Sequence, residues 1–405
     1  MENKSISHSE LKRLILDRLE LHEEEFIGHN YTLLKVSNAY SGLWLEHLYD
    51  SIMYAKLYKN KLYLAKNALN VFIDNQKPDG QLPYVVKSTT DPNERAVYSQ
   101  IQECVSFGSL ALLVYSLDSD RSQLLRAYES TRRWVEWLKA NRRTRGTNLL
   151  EMFVGFDTGH DNSPRVLDLG CPKRYLLNGV PQNAAVLPPE DGIAPVLAVD
   201  MSANLYGNLT SLAKMAELLG FSADEYLTEA RAVKADIFKY LFDSEDCFFY
   251  DLDKNGNKRR ILSSTVFQLF IEGVLDPESD RELISELLSR YILNKDHFFT
   301  AAPFPAVSIS DPLSKKYTDF NCWGYYSQAL LALRSTLWME RYGLATEHRE
   351  VMKRFLDGWT RAFDKLKLGQ ELDPITAEPS SASEWYSSCM LTCLYAIKLL
   401  DGECS

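Results

Sequence analysis

No tract of about 18 consecutive apolar residues occurs anywhere in the 405-residue chain, which excludes a conventional transmembrane helix. The start, Met1-Glu2-Asn3-Lys4-Ser5, runs into a polar, acidic helix rather than an apolar signal core, so no secretory leader and a cytoplasmic location are expected. Seven cysteines is an odd, scattered number. Cys389 and Cys393 are the one close pair, with no second pair to complete a zinc site; buried thiols in a reducing compartment, and no metal, are expected. No basic run offsets the net charge of −10, which argues against nucleic acid or an anionic membrane as partner. Also missing are a Gly-rich phosphate loop after a strand, His-Glu-x-x-His and Gly-x-Ser-x-Gly. No cofactor is implied. A small neutral substrate such as a carbohydrate is compatible with this balance.

What is present is helical periodicity. Leu205, Leu209, Leu212, Met215, Ala216 and Leu219 recur at three- and four-residue spacing and stop at Gly220. Ser222-Ala223-Asp224-Glu225 reads as a capping box for the next helix, through Tyr226, Ala230, Val233 and Ile237. Further helices are expected near 11–25, 41–59, 61–74, 99–118, 122–141, 264–273, 279–292, 322–342, 345–366 and 384–399. About a dozen helices, mostly in hairpins and with no linker-like break, predict one all-α domain over residues 1–405. Six hairpins in a ring, an (α/α)6 barrel, is the economical arrangement. A minor β-hairpin is expected at Cys247-Phe248-Phe249-Tyr250, turning at Asn255-Gly256, as decoration.

Two stretches break the helical pattern: 143–200, and 295–321 with Phe304-Pro305 and Asp311-Pro312. Long irregular loops in a compact domain are usually functional. The first carries Phe156-Asp157-Thr158-Gly159-His160-Asp161-Asn162-Ser163-Pro164-Arg165, with two carboxylates, an imidazole and a guanidinium in ten residues. A capping turn would account equally well for Asp161 by itself. Glycosidic cleavage needs two carboxyls flanking the anomeric carbon, one protonated to donate to the leaving oxygen. Asp161 suits the acid in an apolar pocket. The second carboxylate is expected near the C-terminus: Glu371, in Gln370-Glu371-Leu372-Asp373-Pro374, or Glu384, in Ser383-Glu384-Trp385-Tyr386.

Aromatic residues collect near the expected helix starts: Trp44, Tyr49, Trp323, Tyr325, Tyr326, Trp385 and Tyr386. Most aromatics in a helical protein simply pack in the core. Sugar rings also stack on aromatic faces while their hydroxyls need amide and carboxylate partners, which Asp50, Gln100, Gln102 and Asn321 are candidates to supply. His47 and His160 are the histidines nearest this set.

The loop Asp157-Thr158-Gly159-His160-Asp161-Asn162-Ser163-Pro164-Arg165 resembles the acid motif of trehalases and the related processing α-glucosidases and mannosylglycerate or glucosylglycerate hydrolases. Further segments follow in the same order. Leu48-Tyr49-Asp50-Ser51 is similar to a Tyr-Trp-Asp-Ser stretch, and Tyr98-Ser99-Gln100 to a Ser-Gln-Pro-Pro turn in which Ile101-Gln102 replaces the prolines. Val199-Asp200-Met201-Ser202-Ala203-Asn204 is similar to a Val-Asp-Leu-Asn helix start. Phe304-Pro305-Ala306-Val307 resembles a Pro-Leu-Pro-like segment, and Asn321-Cys322-Trp323-Gly324 a Tyr-Trp-Arg-Gly turn without its arginine. Glu371-Leu372-Asp373-Pro374-Ile375-Thr376 looks like the base motif, one residue shorter and ending in Ala377, and Trp385 answers the tryptophan of the closing helix.

The resemblance covers about 40 to 400. It implies an inverting glycoside hydrolase acting on a small α-linked glucoside or related α-glycoside, with Asp161 as acid and Glu371, or else Glu384, as base. Trp44, Tyr49, Asp50, Gln100, Gln102, Asp157, His160, Arg165, Asn321, Trp323 and Trp385 are the expected sugar contacts. Two other classes fit such a barrel: an epimerase or isomerase using histidines as proton shuttles, and a carbohydrate-binding barrel without catalysis.

Overall fold

The computed structural model describes residues 6–167, 176–177, 180–181, 185–186, 192–316, 323–361, 363, 368–380 and 383–403. The helices in chain order are α1 (His8–Leu21), α2 (Leu48–Leu57), α3 (Leu62–Asp74), α4 (Phe107–Asp118), α5 (Arg121–Arg142), the one-turn α6 (Pro164–Leu167), α7 (Val199–Leu219), α8 (Asp224–Asp236), α9 (Val266–Ile271), α10 (Arg281–Leu287), α11 (Ala329–Ser335), α12 (Ala345–Arg361) and α13 (Ser387–Leu400).

They form an (α/α)6 barrel, as expected. α2, α4, α7, α9, α11 and α13 make the inner ring, and α3, α5, α8, α10, α12 and α1 the outer one. Inner neighbours pack side by side; Trp338, just after α11, reaches α9 by stacking on Phe267 (5.9 Å) and tilting against Phe270 (5.1 Å). α1 packs on α13 and closes the circle.

Composition explains which helix goes where. A helix surrounded by others must be apolar or internally bonded on all sides, whereas an outer helix needs one stripe. Every residue of α9 and of α11 is buried, as are Leu48 to Ala55 of α2. By contrast α1 buries Leu11, Ile15 and Leu19, one residue per turn, and α8 only Ala230 and Val233. Gly220 ends α7 in the left-handed conformation (φ 83°), as the sequence requires. The capping box does not form: α8 starts at Asp224, and Ala223 holds the capping position with no side-chain bond.

Three inner helices start later than their periodicity predicts. α2 begins at Leu48 rather than 41, after a strand (Gly42–Trp44) and a 3-10 turn (Leu45–His47). α4 begins at Phe107 rather than 99, and α11 at Ala329 rather than 322. For α4 the cause is visible. The N–H groups of Ile101 and Gln102 donate to the Asp157 carboxylate (3.1 Å) and carbonyl (2.8 Å), so tertiary acceptors replace the helical ones.

The minor β structure is more than decoration. Phe248–Phe249 pairs back with Phe242–Asp243, while Asp251–Leu252 turns through residues 253–257 to pair with Lys258–Arg259. The latter pair belongs to a four-stranded sheet with Val196–Leu197 and Glu151–Met152. Asp251 accepts the Val199 N–H (2.9 Å), tying that sheet to the start of α7. Among the described residues no helix is long and apolar enough to cross a membrane.

Candidate active site

A cavity of about 360 Å³ opens at the N-terminal ends of the inner helices. Its walls come from segments that precede them: Tyr40, Trp44, Glu46 and His47 before α2, Gln100 and Gln102 before α4, and Tyr386 before α13. Phe156, Gly159 and Asp161 come from the acid loop, and Trp323, Tyr84, Lys87 and Gln370 from the remaining rim. Helix N-termini carry partial positive charge, so this end of the ring favours carboxylates.

The acid loop is held in two places. Asp157 is fully buried, and its carboxylate takes Arg142 at the end of α5 in two bonds (2.7 and 3.0 Å). It also accepts the N–H groups of Ile101, Phe153 and Val154 (2.9–3.1 Å). Gly159 then turns the chain at φ +71°, so close to the wall that a Cβ there would lie 2.4 Å from Cys104 Sγ and 2.9 Å from Glu46 Oε2. Asp161 follows, its carbonyl accepting the Trp323 N–H (3.2 Å), and Trp323 stacks flat on His160 with ring centroids 4.4 Å apart.

Glu371 follows the wall residue Gln370 in the chain but is not itself a wall residue; it is fully buried, on a strand (Glu371–Leu372) paired with Ser327–Gln328. Gln328 Nε2 donates to Oε1 (3.0 Å) and Ser380 Oγ to Oε2 (2.7 Å). The Tyr40 hydroxyl donates to Gln370 Oε1 (3.2 Å). Burial pushes that phenol up, and the charges of Glu46, Asp161 and Glu371 add to the effect.

Of the expected residues, Asp161, Trp44, Gln100, Gln102 and Trp323 therefore meet at the cavity. Several others do not. The Tyr49 hydroxyl is committed to Thr336 (2.6 Å) within the core. Asp50 accepts from Ser387 and Ser388 (2.5 and 2.8 Å), joining α2 to α13. Asp157 braces the loop from beneath, as described. Arg165 is locked to Asp200 (2.6 and 2.8 Å) and to Asp251. His160 lies under Trp323 and faces a small internal void instead; burial first, then Arg165 and Arg334, hold its imidazole well below its ordinary pKa. Trp385 packs beneath Arg18 of α1 (4.7 Å). Glu384 is exposed, which removes it as substitute base. Asn321 lies outside the described residues.

Sequence reasoning missed Glu46, Tyr40, Lys87 and Gln370, whereas His47, expected near the site, is a wall residue. Reading residues 41–59 as one helix hid the first of these, because a helix would have turned Glu46 and Trp44 to different sides. His47 Nε2 bonds the Tyr386 hydroxyl (2.6 Å), and burial, with Arg334, keeps the ring neutral.

A ring of helix hairpins with carboxylates at the N-terminal mouth is the architecture of a class of glycoside hydrolases, and comparison with known proteins agrees. Residues 54–385 match the model of the mannosylglycerate hydrolase MGH1-like glycoside hydrolase domain. The chain belongs to this family of glycoside hydrolase domains. Among solved structures it is similar to the mannosylglycerate hydrolase of Thermus thermophilus, solved with glucose and with Tris and D-glycerate. That match has a TM-score of 0.73 and 16% identity, covering 95% of this chain and 99% of that one. The neutral trehalase of Saccharomyces cerevisiae shares the fold at a TM-score of 0.65 and 14% identity, over 92% of this chain and 76% of that one. An uncharacterised protein of Borreliella burgdorferi is 24% identical over 267 residues. That alignment takes in 63% of this chain and 47% of the relative, so the chain spans about half the length of the curated protein it matches.

Proposed function

We propose that the chain hydrolyses a small α-linked glycoside with inversion, Asp161 serving as general acid and Glu371 as general base. The observation that carries this reading is Asp161 in the wall of an aromatic-lined cavity whose rim residue Gln370 immediately precedes the buried Glu371 in the chain. In such a step the Asp161 carboxyl gives its proton to the glycosidic oxygen and the C–O bond breaks. Water attacks the anomeric carbon from the opposite face and gives its proton to Glu371. Room for that water requires carboxyls roughly 6.5–9.5 Å apart. Gln328 and Ser380 orient Glu371, while Trp44, Trp323, Gln100 and Gln102 form the sugar-binding wall.

The favoured substrate is a glycosyl-glycerate or a disaccharide. D-glycerate in the Thermus enzyme supports the first, as does Lys87, a cavity-wall ammonium that makes no ion pair among the described residues and would face an aglycone carboxylate. Epimerisation would need a second basic group opposite His47, and His160 is packed behind Trp323.

The test is a panel of α-glucosyl-glycerate, α-mannosyl-glycerate and trehalose, followed by NMR of the anomer released. The wild type is expected to release the β-anomer first. Asp161→Asn and Glu371→Gln should each lower kcat by about 10²–10⁴. Hydrolysis of none of the panel, or full activity in Asp161→Asn, refutes the reading.

A further inference from the structure

Glu46 is a wall residue of the cavity that the acid–base pair leaves without a task. It sits in the 3-10 turn Leu45–His47, which brings Glu46 and His47 both to the cavity wall before α2 begins. Gln102 Nε2 donates to Glu46 Oε1 (2.9 Å), and Gln100 Nε2 donates to Gln102 Oε1 (2.9 Å). The result is a row of three polar side chains along one wall, with each amide fixed in orientation by the next.

A structural role explains this carboxylate poorly. The cation beside it, Arg334 of α11, stands 3.8 Å from Oε2 and gives a hydrogen bond to the Glu46 backbone carbonyl (2.9 Å) rather than to the carboxylate. Among the described residues, the other hydrogen-bond donor to the carboxylate besides Gln102 is the Cys104 thiol, a weak one at 3.6 Å from Oε2. A carboxylate offers about four acceptor positions, so lone pairs remain for a ligand. A buried carboxyl held short of full pairing costs stability, and such groups concentrate at functional sites.

We propose that Glu46 is a sugar-binding carboxylate, accepting a hydroxyl of the neutral ring from the wall that also carries Gln100 and Gln102. This rests on the reading of the cavity as a glycoside site. Its Oε2 also backs Gly159, two residues before Asp161, so sugar position and acid position are set from one side chain. The acceptor role gives a sign to the pH dependence. Burial pushes the Glu46 carboxyl up to about 7, opposed by Arg334, Cys104 and Gln102, with Asp50 adding to the rise. His47 flanks it on its own turn, and Tyr40 and Tyr386 feel its charge. A hydroxyl donor binds the ionised form better, so affinity rises as pH rises through about 7.

The test is binding of glucose and of mannose, read by the fluorescence of Trp44 and Trp323 in the cavity wall, from pH 5.5 to 8.5. The wild type should bind at least one of the two, with affinity rising about tenfold across this range. Glu46→Gln should bind about tenfold or more weakly at pH 8 and lose the pH step. Glu46→Asp should keep the step, and Gln102→Ala should lose affinity, which together cover the case in which Glu46→Gln fails to fold. Wild-type affinity and an unchanged pH step in Glu46→Gln overturn the proposal, and so does absence of any sugar binding by the wild type. A wild type that binds sugar but cleaves no α-glycoside refutes the hydrolytic assignment and leaves Glu46 standing. Active enzyme with an unchanged KM in Glu46→Gln refutes Glu46 alone.

Discussion

Glu103 illustrates how single buried carboxyls shape the behaviour of this barrel. Its Oε1 receives the Phe107 N–H (2.8 Å), Trp134 Nε1 (3.1 Å) and Asn208 Nδ2 (3.0 Å), and its side chain is fully enclosed. Burial outweighs those donors and pushes the carboxyl up to about 7. A folded-state pKa above the unfolded one contributes stability fully below about pH 4.5, and that contribution is lost as pH rises through about 7. Glu103→Gln keeps the accepting oxygen and removes the ionisation. Relative to wild type it should gain on the order of 3 kcal/mol between about pH 5 and 8 in urea unfolding. Parallel stability curves for the two proteins would show that the site does not titrate this way. His47 and His160 act in the opposite sense: held neutral by burial, they withdraw stability as pH falls below their unfolded value of 6.5.

Between elements, the decisive link is Arg142–Asp157, which fastens the last residue of α5 to the base of the acid loop with neither side chain exposed. Removing one partner of a buried ion pair strands the other, at a cost of about 3–5 kcal/mol. Asp157→Ala should therefore lower the unfolding free energy by that order, with a lower urea midpoint, and cut hydrolysis through misplacement of Asp161. An unchanged midpoint would contradict the bracing role. Asp157 also takes the backbone donors of residues 101 and 102, the first on its carboxylate and the second on its carbonyl, which is why α4 starts late and why Gln100 and Gln102 form cavity wall.

For the molecule as a ring, closure depends on α1 lying against α13. Leu11, Ile15 and Leu19 carry the packing face of α1, whereas the exposed Lys12–Glu403 pair adds little. Burying three such side chains is worth about 1.5–3 kcal/mol each. A chain lacking residues 1–22 should melt at a lower temperature and be cut faster by protease near α13. If truncation leaves both unchanged, the ring closes without α1.

Much of this was legible in one dimension. Apolar spacing at three and four residues is a local property, so the helices, their hairpin order and Gly220 as a stop could be read directly. The break at Gly159 and Pro164 likewise marked the acid loop with Asp161. What spacing cannot encode is which acceptor a backbone N–H or a guanidinium finds across the fold. Asp157 and Arg165 read as ligand groups, yet each is consumed by a buried partner far away in sequence, Arg142 in one case and Asp200 with Asp251 in the other. Glu46 read as part of a helix and became cavity wall because a 3-10 turn replaced that helix. The chain's periodicity decided that a barrel forms; only the closing of the ring, by bringing distant donors and acceptors into competition, decided which polar side chains remain turned toward a ligand.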